Sequence, residues 1–221
     1  MSRAHPAVLP LLAVLTWMAC FAVLGRLGTW SLFVVAGPLL SALALASGVV
    51  PLSLLRPSVG RVVAGVAAGV VMLAASHAVF AALVAAWPGA RGPALSLYAL
   101  FDTGIWSPST RAAFLVVVAG SEEVVFRGTL SRAASAHPVA PVGATGWWTS
   151  GVAASEVGRL ALFALAYALG TLPLGNPLLF TCALCCGVAW GGLRLASRSL
   201  VTPLVAHVLW DVGVLLVWPL T

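Results

Sequence analysis

The sequence predicts an all-α bundle of transmembrane helices, and three observations predict it. Of 221 residues, 62% are apolar and 7% are charged, a balance that cannot coat a water-soluble domain of this size. The apolar residues fall in runs close to the length of about 20 that a helix needs to cross the hydrocarbon. The net charge of +6 rests on eleven cations, all arginines, set near the ends of those runs. Nucleic-acid binding would need basic residues gathered on one face with aromatics interleaved. No such cluster is present, so nucleic acid is excluded as a partner and the lipid bilayer is the first one expected.

Seven spans are expected, at 7–24, 30–55, 62–86, 108–130, 156–172, 178–195 and 200–220. Ser107 before Pro108 reads as a helix start, because the hydroxyl can accept from an orphan amide and proline loses no hydrogen bond there. The connections 87–107 and 131–155 are rich in Gly, Pro, Ser or Ala, and Trp147 and Trp148 suit an interfacial anchor. Neither a soluble domain nor a repeat stands out, so residues 1–221 read as one integral-membrane domain. With the N-terminus inside, Arg3, Arg56, Arg61, Arg132, Arg159, Arg194 and Arg198 fall on the inner side, while Arg26, Arg91 and Arg111 fall outside. The positive-inside bias therefore favours N-in, C-out, and a bacterial inner membrane is the expected location. Cys182, Cys185 and Cys186 read as soft packing residues in a span. His5 and His137 read as solvated, and His77 as an interhelical hydrogen-bonding residue.

Ionisable groups inside a span are expensive and mark function. Three of the five acidic residues lie there: Glu122 and Glu123 in the fourth span, and Asp211 in the seventh. Glu123 and Arg127 are four residues apart, as are His207 and Asp211, so each pair shares a helix face. Counted from the nearest inner arginine at about 1.5 Å per residue, Glu122 lies roughly 15 Å deep, His207 roughly 13 Å and Tyr167 roughly 12 Å. Three helices thus bring polar groups to one level. A packing role explains Glu123 with Arg127, but it explains Glu122 poorly: a second carboxylate with no evident cationic partner points about 100° away from the first.

Glu122-Glu123-x-x-x-Arg127, a Phe163-x-x-x-Tyr167 stretch and His207-x-x-x-Asp211, with Gly191-Gly192, Ser199-Leu200 and Pro203 leading into the last, resemble the three motifs of the CPBP family. That family includes type II CAAX prenyl endopeptidases and bacterial abortive-infection proteins. The resemblance implies that residues 108–220 hold CPBP-like catalytic helices. It also implies an endopeptidase that cuts a peptide bond near the membrane, in a C-terminal tail of CAAX or sorting type or in a leader peptide. Its partner would be a membrane-associated protein or peptide. Glu122 would be the general base for water, Glu123 and Arg127 would support it, and His207 with Asp211 would orient substrate or stabilise the oxyanion.

The chain departs from the family at Tyr167, where the second motif has histidine. A phenol can donate to water or an oxyanion, but with a pKa near 10 it is a poor proton acceptor. Two readings stay open: an active protease with Tyr167 as a donor, and a non-catalytic member acting in membrane interaction or immunity. A small proton-coupled transporter is a third, weakened by the lack of an inverted repeat. The residue types allow zinc ligation as well as a metal-free glutamate mechanism, and no other cofactor is indicated.

Overall fold

A computed structural model describes residues 8–101, 106–129 and 154–220. All regular structure among them is helical, in the order α1 (Val8–Leu27), α2 (Ser31–Ala46), α3 (Val59–Ala86), α4 (Arg91–Phe101), α5 (Pro108–Glu122), α6 (Ala154–Gly170), α7 (Pro177–Ser197) and α8 (Val201–Val212). Arg3, His5, Leu130, Arg132, His137, Trp147 and Trp148 lie outside the described residues. Helices α1, α3 and α7 are long and apolar enough to cross a membrane, and shorter apolar helices accompany them. Leucines and valines on their outer faces stay uncovered: Leu11, Leu15, Val63, Val71 and Val188 are all exposed. An apolar skin of this kind is stable in lipid and unstable in water.

Helix α5 begins as its sequence predicts, with the Ser107 hydroxyl accepting from the Thr110 amide at 3.1 Å and proline in the first turn. Two elements differ from the sequence reading. The apolar run 30–55 is not one helix, because Gly48 adopts a left-handed φ of +67° and turns the chain, and a short 3-10 turn, Leu52–Leu55, follows. Hydropathy continues through Val49 and Val50, but the backbone does not. The connection 87–107 contains α4, although Pro88, Gly89, Gly92 and Pro93 read as turn residues. Proline is tolerated in a first helical turn, where its missing N–H has no partner to lose. Helix α4 is tied down by the Trp30 indole donating to the Leu100 carbonyl at 3.0 Å, by Tyr98 donating to Val214 at 3.0 Å and by Asn176 donating to Pro93 at 2.9 Å.

Helix α8 is held from both sides. Helix α3 packs along it, and Gly65 and Gly69, one α-helical turn apart, allow the close approach. A Cβ at Gly65 would sit 2.7 Å from the Thr202 carbonyl oxygen, and one at Gly69 would sit 3.0 Å from that of Ala206. On the other side α5 and α7 pack against α8, and α6 lies on α7. The turn into α8 is anchored by Leu200 N–H and Ser199 O–H, both donating to the Leu54 carbonyl. The core between these helices is aromatic, with Trp17, Phe33, Phe126, Trp190 and Trp210 at its centre.

Candidate active site

Glu122 ends α5 and Glu123 opens a π-helical turn, Glu123–Arg127, in which the Gly128 N–H reaches back to the Glu123 carbonyl. A second π turn, Gly213–Val217, follows Asp211 directly. Such turns insert one more residue per turn than an α-helix and recur at functional sites. Here the first one changes which groups meet. Neighbouring carboxylates on a helix diverge by about 100°, and the His207 ring fills the gap between them. Its Nδ1 lies 2.8 Å from Glu123 Oε1 and its Nε2 lies 3.6 Å from Glu122 Oε2. Asp211 Oδ2 stands 3.5 Å from the same Nε2.

Both pairs that helical spacing suggests form, Arg127 with Glu123 and His207 with Asp211, but each group also has partners that spacing does not suggest. Arg127 is 3.6 Å from Glu123, and its guanidinium lies over the Tyr167 ring at 4.2 Å and near Trp190 at 5.2 Å. In this dry setting the cation is held by Glu123 and by two aromatic faces. The short bond of His207 goes across the helix interface to Glu123, not along its own helix to Asp211. An i, i+4 pair shares a face but keeps both side chains on parallel stems, whereas facing helices can bring tips together. Glu122, for which the sequence offered no partner, accepts two neutral hydrogen bonds: the Tyr167 phenol donates to Oε2 at 2.6 Å and the Trp17 indole to Oε1 at 2.7 Å.

All six residues singled out in the sequence, Glu122, Glu123, Arg127, Tyr167, His207 and Asp211, therefore meet in one cluster. Glu123 and His207 are 1% exposed and Arg127 2%. Two members of the cluster are not legible in the motifs. Trp190 stacks on the His207 ring at 3.5 Å between centroids, with 20° between planes. Trp17 lies ten residues into α1, at a depth where tryptophan is unusual because its indole N–H needs a partner away from the interface. That depth is the signal that could have found it. His77 does not make the interhelical bond expected of it. Its ring stacks on Trp218 at 3.8 Å, and the neighbouring Ser76 hydroxyl instead accepts from the Trp210 indole at 2.8 Å.

The cluster opens on an apolar cavity of about 490 Å³, walled by aromatic residues such as Trp30, Phe33 and Phe114 and roofed by Leu97 and Tyr98 of α4. Glu122, Tyr167, His207 and Asp211 all reach its surface, and Cys182 and Cys186 of α7 lie on its wall. A second hollow of about 560 Å³, near Gly25 and Asn176, has no titratable lining residue. Among the described residues no three His, Cys, Asp or Glu side chains are arranged to hold a metal ion. Both Glu122 oxygens accept short bonds, and His207 Nδ1 faces Glu123.

Residues 104–213 match the family model for Rce1-like type II CAAX prenyl endopeptidases. The chain belongs to this family. It is a family of CAAX-type intramembrane proteases, which makes the chain a membrane-embedded member of a protease family with a peptide as the general class of substrate. No curated protein and no solved structure matches the chain. The Rce1-like segment contains the six residues of the cluster together with Trp190, while Trp17 lies well before it.

Proposed function

We propose that the chain is an intramembrane endopeptidase in which Glu122 activates water. One observation carries this reading: a carboxylate on the wall of an apolar cavity, oriented by two neutral donors and facing an imidazole that a second carboxylate holds. Glu122 removes a proton from water as the oxygen attacks the scissile carbonyl, which forms the C–O bond. His207, held at Nδ1 by Glu123, donates its Nε2–H to the carbonyl oxygen as negative charge develops there. Glu122 then returns the proton to the leaving amine as the C–N bond breaks. Tyr167 takes part as a donor that orients Glu122, a role open to a phenol and closed to a residue that must accept a proton. Glu123, Arg127 and Asp211 support the imidazole and keep charges balanced in the dry core.

The cavity supports a hydrophobic segment beside the cleaved bond, as in the C-terminal tail of a CAAX-like or membrane-sorted protein or in a leader peptide. The arginine distribution supports an inner-side N-terminus in a bacterial inner membrane. A reporter fused at Thr221 and active only in the cytoplasm is expected to be silent, and a signal from it would reverse the orientation.

The test of the mechanism is Glu122→Gln, which keeps the volume and removes the base. Cleavage of a quenched-fluorescence peptide ending in a prenylated Cys-aliphatic-aliphatic-X sequence is expected to fall by about 10²- to 10⁴-fold, with the protein still folded in the membrane. Undiminished cleavage by the variant sinks the glutamate mechanism. The second reading, a non-catalytic member, draws on Tyr167 standing in place of the family's histidine. It expects the native chain and the Glu122→Gln variant to leave identical membrane-protein termini when cells carrying each are compared by mass spectrometry.

A further inference from the structure

We propose that Trp17 of α1 is a positioning residue for Glu122, so that the working site includes a helix outside the Rce1-like segment. The inference rests on the reading of Glu122 as the base. The Trp17 Nε1–H donates to Glu122 Oε1 at 2.7 Å while Tyr167 holds Oε2 at 2.6 Å. A glutamate has three side-chain torsions, and a base must be held within about 0.5 Å of its productive position to be effective. One bond from α1 and one from α6 fix both oxygens from opposite sides, which a single donor cannot do.

The indole is itself immobilised. It is fully buried, with the Phe33 ring edge-on at 6.1 Å and the Phe126 ring edge-on at 5.4 Å. One glycine makes room for its stem: a Cβ at Gly170 would sit 3.1 Å from the Trp17 Cβ. Phe33 of α2 and Gly170 of α6 thus hold the side chain that aims the N–H.

The charges are divided in a way that suits a base. The guanidinium of Arg127 lies beside Glu123, whereas Glu122 meets neutral donors on both oxygens. Neutral N–H and O–H groups orient a carboxylate without the full charge of a guanidinium, which would hold it in an ion pair and oppose proton uptake.

The experiment uses the full-length chain in lipid nanodiscs with ¹⁵N-labelled tryptophan. The Trp17 indole N–H signal is assigned by its loss in Trp17→Phe and then followed in Glu122→Gln, where Trp17 is intact. A clear shift of that signal alone among the nine indoles is expected, because a carboxylate acceptor has become a neutral amide. An unchanged signal overturns the proposal whatever the activity of Trp17→Phe. In the prenylated-peptide assay Trp17→Phe is expected to lower kcat by about 10- to 100-fold, the effect of one charge-assisted hydrogen bond, with KM nearly unchanged. A kcat equal to that of the native chain, or a loss confined to KM, also overturns it. If the signal shifts but the native chain shows no Glu122-dependent cleavage, the glutamate reading is what has failed. The Trp17 bond then stands as a packing contact and its positioning role falls.

Discussion

The two stretches on either side of residues 102–105 are built from the same apolar alphabet and use it differently. Among the described residues, all ten buried polar or charged side chains lie in the later stretch, from Ser121 to His207, and none in residues 8–101. Helix α3 keeps three of its 28 residues buried, Gly65, Gly69 and Phe80, whereas α5 buries six of 15. The more apolar helix thus serves as a lipid-facing wall and the less apolar one as a dry polar floor. The earlier stretch nevertheless contributes to the chemistry by contact: a Trp17 N–H on Glu122, a Ser76 hydroxyl under Trp210 and the glycine face that seats α8. Titratable groups and the groups that aim them need not come from the same part of a chain.

The contrast is broken most severely at Arg127. Arg127→Ala leaves Glu123 without its cation and empties the space between Tyr167 and Trp190. A loss on the order of 3 to 5 kcal/mol is expected for breaking one partner of a buried pair. It should appear as low abundance in membranes and as a lower midpoint in thermal aggregation of solubilised protein. Accumulation and a midpoint equal to those of the native chain would mean that Glu123 is not an uncompensated charge.

A smaller effect, on rate more than on stability, is expected at Tyr167. Tyr167→Phe keeps the ring beneath Arg127 and removes the donor to Glu122 Oε2, so turnover should fall by about 10- to 100-fold. Aggregation temperature should hardly move, because the aromatic face survives. If instead stability drops and the rate per folded molecule does not, the phenol is a packing group and its bond to Glu122 is incidental.

The weakest of the three tests the wall. Gly65→Ala puts a methyl group against the Thr202 carbonyl, and overpacking of this kind costs about 1 to 3 kcal/mol. Val71→Ala, on the exposed face of the same helix, should stay within about 0.5 kcal/mol of the native chain. Equal thermal shifts for the two would show that α3 is not seated on α8 through its glycines.

Much of this molecule was legible in its residues, for identifiable reasons. Hydropathy and run length determine an all-helical membrane bundle, since lipid leaves a helix as the way for so apolar a chain to satisfy its backbone. The rarity of charge made Glu122, Glu123, Arg127, His207 and Asp211 conspicuous, and the depth count put Tyr167 at their level. Hydropathy could not see α4, because its Gly and Pro residues belong equally to turns and to first helical turns. It overran α2, because Gly48 stops a helix by a backbone angle and not by polarity.

Which of those groups touch was decided only in three dimensions. Spacing along one helix paired Arg127 with Glu123 and His207 with Asp211. The assembled bundle keeps both pairs and adds to them: it sets His207 between both glutamates, lays Arg127 over two aromatic rings and brings Trp17 from 105 residues away to Glu122. Periodicity records the face on which a side chain stands. The neighbour it meets depends on how helices approach, and here that is governed by a π turn inside the glutamate motif and by glycines on neighbouring helices. Neither leaves a mark in the spacing of the charged residues themselves.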